Sequence, residues 1–107
     1  MANEPALDMS EIVDLYKEDA RRMVGEMRNA LSRWPEVTLG GAPRQDLRRL
    51  SHQLRGSGRT YGFCSVTRIS KALEQIMQKI EKQTVPADER TREAVAAKVE
   101  LLAQIFK

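Results

Sequence analysis

Apolar side chains recur every three or four residues in four separate stretches of this chain, which is the spacing of one face of an α-helix. Between these stretches stand residues that break helices, in Pro35–Pro43, Thr60–Gly62 and Val85–Pro86. No segment alternates apolar and polar residues over the length of a strand. The pattern therefore predicts an all-α fold in which narrow apolar stripes meet in a shared core.

After a tail at residues 1–7, the predicted helices cover residues 9–33, 44–59, 63–82 and 88–106. Asp8 followed by Glu11 has the spacing of a capping box at the start of the first helix. That helix is expected to end before Pro35, because a proline disfavours the α conformation of the residue before it. Short links between the helices predict that neighbouring helices are antiparallel. A chain of 107 residues is long enough for one domain with one core, so we expect a single domain over residues 1–107. Its predicted architecture is an antiparallel up-down-up-down four-helix bundle with a long N-terminal helix.

The second predicted helix carries the only histidine of the chain, His52. The apolar stripe of this helix consists of Leu47, Leu50 and Leu54 and continues in phase to Tyr61. At about 100° per residue, His52 lies roughly 170° from the centre of that stripe. We therefore expect the imidazole to face away from the core.

Arginines share the predicted outer face with His52. They are Arg48, Arg49 and Arg59, with Arg55 at the margin. From residue 44 to residue 71 the chain holds seven basic side chains against Asp46 alone, although its overall net charge is only +3. Such a block favours an anionic partner, whether nucleic acid, phosphate or an acidic protein surface. A merely solvated helix face is the more common reason for a cluster of charges.

Gly56 follows His52 by about one helical turn. A glycine inside a helix costs roughly 1 kcal/mol relative to alanine, so its presence needs a reason. A missing side chain at this position clears the surface beside the imidazole and favours close approach by another protein. The alternative is that Gly56 and Gly58 mark the end of the helix.

These residues resemble the histidine-containing phosphotransfer (HPt) domain of two-component phosphorelays. The shared pattern is His52-Gln-Leu54-Arg55-Gly56-Ser57, with Gly62 ten residues after the histidine and Leu73-Glu74 on the next helix. Arg55 stands where lysine is more usual in the family. The resemblance implies a phosphocarrier in which His52 accepts a phosphoryl group from the aspartyl phosphate of one receiver domain and passes it to another.

The resemblance also implies roles for the neighbours of His52. Arg55 would support the phosphoryl group electrostatically, and Gly56 would form the docking surface together with Arg48, Arg49 and Arg59. Glu74 and Gln78 on the following helix are candidate orienters of the imidazole. The implied partners are the receiver domains of response regulators or hybrid histidine kinases. No cofactor is expected on this chain, since Mg²⁺ would sit in the acidic site of the receiver, and we expect a monomer.

Composition argues against several other classes of function. No apolar run approaches the roughly 20 residues needed to cross a bilayer, and the segment after Met1 lacks the features of a signal peptide, so no membrane contact is expected. The initial methionine suggests a small protein of its own. Cys64 is the only cysteine, which rules out an internal disulfide and favours a cytoplasmic location. One histidine and one cysteine do not make a metal site.

A nucleotide site is also not expected. The spacing of Gly56, Gly58 and Gly62 leaves Tyr61 where a phosphate-binding loop needs its third glycine, and no strand precedes it. The chain is therefore not expected to phosphorylate itself from ATP or to act as an enzyme.

Two alternative functions are left open by the sequence. A basic helical protein that binds nucleic acid is one, but a helix-turn-helix needs a nearly perpendicular pair of helices, and we expect antiparallel ones. We therefore expect no nucleic acid as a partner. A bundle that only binds other proteins, with an incidental histidine, is the second. The helical phase of His52, together with Gly56 and Arg55, disfavours it.

Overall fold

A computed structural model describes residues 8–107, so the predicted tail at residues 1–7 lies outside the described part of the chain. Every regular element in residues 8–107 is a helix, and the prediction of an all-α fold is confirmed. The helices are α1 (Met9–Ser32), α2 (Trp34–Thr38), α3 (Ala42–Thr60), α4 (Cys64–Glu81) and α5 (Glu89–Ile105). Within this range, none of them combines the length and the apolar character that a membrane span requires.

The short helix α2 lies where the sequence predicted an open connection. Pro35 is in its first turn, where the missing proline N–H is not needed for a helical hydrogen bond. Arg33 serves as the C-cap of α1 and as the N-cap of α2, so the chain enters the second helix directly. Trp34 and Val37 are buried, and this burial stabilises a segment that is too short to be helical alone.

Asp8 and Asp88 begin two of the long helices. The Asp8 carboxylate accepts a hydrogen bond from the backbone N–H of Glu11 at 2.9 Å, and Asp88 accepts one from the N–H of Thr91 at 2.9 Å. Each bond satisfies an amide that has no partner inside its own helix. The four long helices, α1, α3, α4 and α5, each begin and end within two residues of the predicted limits.

The four long helices enclose one core. Helix α3 packs against α4 and α1, and α5 packs against α1 and α4. Among the largest side chains that are almost completely buried are Met27, Leu50, Leu54, Leu73 and Phe106. Helix α3 thus buries one face and leaves the other exposed. The up-down-up-down order of the helices stays a prediction.

At Gly58, helix α3 packs closely against α4. A Cβ at this position would lie 2.9 Å from Oγ1 of Thr67 and 3.1 Å from its backbone nitrogen, so only glycine fits without a shift of α4. Helix α3 continues past it to Thr60, and neither Gly56 nor Gly58 ends the helix. The turn that follows uses Gly62 at φ +80°, a left-handed conformation that favours glycine.

Candidate functional site

His52 lies on the outer face of α3, with 64% of its side chain exposed. Its neighbours on the inner face, Leu50, Ser51 and Leu54, are at most 1% exposed. The imidazole therefore points away from the core, in the direction that its position on the helix predicted.

Glu74 of α4 holds the imidazole from one side. The Nδ1 atom of His52 lies 3.3 Å from Oε1 of Glu74. Only 7% of Glu74 is exposed, so its carboxylate approaches from inside the molecule. A carboxylate is an acceptor, and we therefore assign the ring proton to Nδ1, which donates it to Glu74. The lone pair of the ring then resides on Nε2.

Arg55 closes a triangle with His52 and Glu74. Its Nη2 atom lies 3.4 Å from Nδ1 of His52, and its Nε atom lies 3.5 Å from Oε2 of Glu74. A guanidinium is only a donor, and Nδ1 cannot accept from Arg55 while it donates its proton to Glu74. The carboxylate is thus the natural partner of Arg55. The buried Oε2 atom makes no hydrogen bond within residues 8–107, and Arg55 compensates its charge as an ion pair.

A groove of about 480 Å³ opens beside the imidazole, and all the residues that line it have polar or charged side chains. The lining residues are Gln45, Arg48, Arg49, His52, Gln53 and Glu74. Arg49 is loosely paired with Asp46 at 3.5 Å, whereas Arg48 has no ion pair within the described chain. The structure thus brings two of the predicted docking arginines into the groove with His52. Arg59, seven residues on, is exposed farther along α3.

Gly56 leaves open space on the same face. A Cβ at this position would meet no heavy atom of its surroundings within 4 Å. The glycine is therefore not required for packing within the molecule, unlike Gly58. Its absent side chain keeps the surface beside the imidazole flat.

Gln78 is not brought to the imidazole. It does not line the groove, and within residues 8–107 its side chain makes no hydrogen bond with His52. Its role as an orienter stays a prediction that has no contact to support it, whereas Glu74, one turn earlier on α4, lies within reach.

Two contributions to the site were missed by sequence reasoning. Gln53 lines the groove, and its place directly after His52 was the available signal. Tyr16 of α1 reaches Ser57 of α3, whose hydroxyl donates to the phenol oxygen at 3.3 Å. Burial raises the pKa of Tyr16. This contact holds α1 against α3 beside Gly56. It joins residues that are 41 positions apart, so no local sequence pattern could predict it.

The arrangement can accept and hold an anionic group. It offers an exposed ring nitrogen with a lone pair, a buried carboxylate that orients the ring, and guanidinium groups that neutralise negative charge. No group of three or more histidine, cysteine, aspartate or glutamate side chains in residues 8–107 is placed to hold a metal ion.

Comparison with known families agrees with this chemistry. The family model of the Hpt domain matches residues 11–105, a range that includes α1 to α5 almost completely and all three members of the triangle. Comparison with curated proteins and with solved structures gave no match. Because the family match covers most of the chain, the protein belongs to the Hpt domain family, the histidine phosphocarriers of two-component systems.

Proposed function

We propose that this chain takes a phosphoryl group onto Nε2 of His52 from the aspartyl phosphate of one receiver domain and passes it to the aspartate of another. The observation that carries this proposal is an exposed imidazole whose Nδ1 atom lies 3.3 Å from a nearly buried carboxylate. The scaffold we propose is an antiparallel up-down-up-down bundle that keeps α3 rigid.

The proposed step is an in-line displacement at phosphorus. The lone pair of Nε2 attacks the phosphorus atom, a P–N bond forms, and the P–O bond to the receiver aspartate breaks. The aspartate leaves as a carboxylate with the electron pair of that bond. The proton on Nδ1 stays in place, so the ring gains positive charge, and Glu74 stabilises it. Transfer to the second receiver is the same step in reverse.

The cations of the site would offset the charge of the transferred group. Arg55 lies within 3.4 Å of the imidazole and can turn its Nη atoms toward the phosphoryl oxygens. Arg48 and Arg49 line the adjacent groove. Positioning and charge neutralisation are the main demands of phosphoryl transfer, so this set of groups suffices without a nucleotide.

The partners would supply the remaining chemistry. We propose receiver domains of response regulators or hybrid histidine kinases, with Mg²⁺ held in the acidic site of the receiver and no cofactor on this chain. We further propose a monomeric, cytoplasmic phosphocarrier that lacks enzymatic activity of its own. Gly56, with Arg48, Arg49 and Arg59 around it, would form the docking surface.

Incubation with a phosphorylated receiver and Mg²⁺ tests the proposal. We expect an acid-labile, base-stable phosphoryl adduct, which mass spectrometry under neutral conditions should locate at His52. His52→Gln should abolish the adduct and leave the circular dichroism spectrum unchanged, because the side chain is exposed. An adduct that persists in this variant would contradict the assignment.

A matched control moves the histidine by two turns. Gln45 is exposed and lines the same groove but lies seven residues before His52. The double variant His52→Gln/Gln45→His therefore keeps an exposed imidazole among arginines and loses the contact with Glu74. We expect no adduct, and one formed at the wild-type rate would mean that any surface histidine suffices.

A further inference from the structure

Residues 42–82, which include helices α3 and α4, have an excess of basic over acidic side chains. Residues 42–82 contain nine arginine and lysine side chains and three acidic ones, whereas the rest of the chain contains nine basic and twelve acidic side chains. Residues 42–82 therefore have a net charge of +6, and the remaining residues, at −3, reduce the total to +3.

All three acidic side chains in residues 42–82 are already engaged. Asp46 pairs with Arg49, Glu81 with Arg44, and Glu74 with Arg55 and His52. Six exposed cations of this region make no ion pair within residues 8–107: Arg48, Arg59, Arg68, Lys71, Lys79 and Lys82. We call these six side chains the α3–α4 basic face.

The basic face extends along α3 on both sides of His52 and continues onto α4. Arg48 and Arg59 lie on α3, about one turn before and two turns after His52. On α4, Lys71 lies about 60° around the helix from Glu74, and Arg68 and Lys79 lie about 120–140° around it. The last two therefore point away from the triangle and are too far around α4 to contact a group on His52. Their charges act only over distance or on a larger partner.

We propose that the α3–α4 basic face recognises an acidic surface on the receiver that extends beyond its aspartate pocket, and that it speeds the encounter of that receiver with His52. This inference rests on the proposed function. Complementary charge raises association rates by about 10- to 1,000-fold at low salt and favours partners of opposite sign. The basic face would thus select acidic receivers among those that could reach the imidazole.

Two other anionic partners fit the face less well. A nucleic acid is the first of these partners. Helices α3 and α4 contain no phenylalanine, tyrosine or tryptophan on which bases could stack. A membrane surface also requires exposed apolar groups among the cations, and the large exposed apolar residues within residues 8–107, Met9, Leu15, Leu39 and Leu101, lie outside α3 and α4.

Charge reversal at the far edge of the face tests the inference. We would measure the second-order rate constant of phosphotransfer from a phosphorylated receiver to Arg68→Glu/Lys79→Glu at about 20 mM and about 500 mM NaCl. Because both side chains are exposed and unpaired, the fold should be retained. We expect about a tenfold loss at low salt and less than a twofold loss at high salt, where the Debye length is only a few ångströms. The rate at saturating receiver should stay unchanged.

The matched control is Arg90→Glu/Lys107→Glu, which changes the net charge equally at one residue of α5 and at one residue beyond its end, both outside α3 and α4. Its rate constant should stay within about twofold of wild type. Equal losses in both double variants would overturn the inference, since net charge alone would then act, and so would no loss in either. Tight binding of a DNA duplex that only Arg68→Glu/Lys79→Glu abolishes would also overturn it. If the unmodified protein accepts no phosphoryl group from receivers at either salt, the proposed function itself fails, which is a distinct result.

Discussion

The two faces of α3 differ in burial and in how closely other residues pack against them. On the inner face, Leu50 and Leu54 are fully buried, and Gly58 is required because α4 lies against it. On the outer face, His52 is exposed and Gly56 has open space around it. Two glycines two residues apart thus differ: packing inside the molecule requires Gly58 but not Gly56, for which we propose a role in access from outside. Substitutions on the outer face should therefore change the rate of phosphotransfer, and substitutions on the inner face should change the stability of the fold.

The largest separation is expected at Gly56. In Gly56→Leu, the new side chain projects into open space beside the imidazole, so it should obstruct a receiver and displace the reacting atoms. A misplacement of about 1 Å can cost on the order of a hundredfold in rate. We expect a loss of that size in single-turnover phosphotransfer. Thermal unfolding should show equal or greater stability, since leucine favours the helix. A destabilised variant would mean that Gly56 also serves packing.

At Gly58 we expect a loss of stability with little change in the rate of phosphotransfer. In Gly58→Ala, the Cβ would press on Thr67 and on Cγ1 of Val66 at 3.1 Å, so α3 and α4 must move apart. Such overpacking lowers the free energy of unfolding by about 1–3 kcal/mol, which urea titration can measure. The fraction that stays folded should transfer phosphate at nearly the wild-type rate. Gly56→Ala is the matched control, because it adds the same methyl group where nothing lies within 4 Å. It should be neutral or stabilising.

Glu74 is a buried residue of α4 that contacts the exposed His52 of α3. Its substitution should affect phosphotransfer more than stability. Glu74→Gln keeps an oxygen that can accept from Nδ1 but loses the negative charge that, in the proposed mechanism, stabilises the phosphorylated ring. We expect about a tenfold slower transfer, the effect of roughly 1.4 kcal/mol. Glu81→Gln removes a carboxylate from the same helix, one that pairs with Arg44 and is half exposed. It should transfer at the wild-type rate, and equal slowing in both variants would assign the effect to the charge of α4 as a whole.

The smallest effect is expected at a cap far from either face. The backbone amide of Thr91 holds the pKa of Asp88 below the ordinary aspartate value of 3.8. The unfolded chain therefore binds this proton at higher pH than the folded protein does. The stabilisation is complete above the unfolded pKa and is lost as the pH falls through the lower folded one. Asp88→Asn keeps a cap that does not titrate, so its melting temperature should fall less than that of wild type below about pH 4. An identical fall in both proteins would contradict this.

Helical phase was enough to predict the outward direction of His52, because that direction depends only on residues within α3. The contact with Glu74 depends on how α3 and α4 are aligned along each other. The sequence offered Glu74 and Gln78 as equal candidates one turn apart, and the packing of α3 along α4 as a whole decides that Glu74 reaches the ring. Helix α2 was missed for a related reason. Pro35 is compatible with the end of one helix and with the start of the next, and the burial of Trp34 decides between them.

Trp34 is the only tryptophan of the chain, and it is buried with its indole N–H donating to the carbonyl of Ala87 at 3.0 Å. It takes no part in the groove beside His52. Its fluorescence emission therefore reports whether the chain is folded and should not change when a receiver docks at His52. An emission spectrum can thus show that each variant is folded before its phosphotransfer is measured.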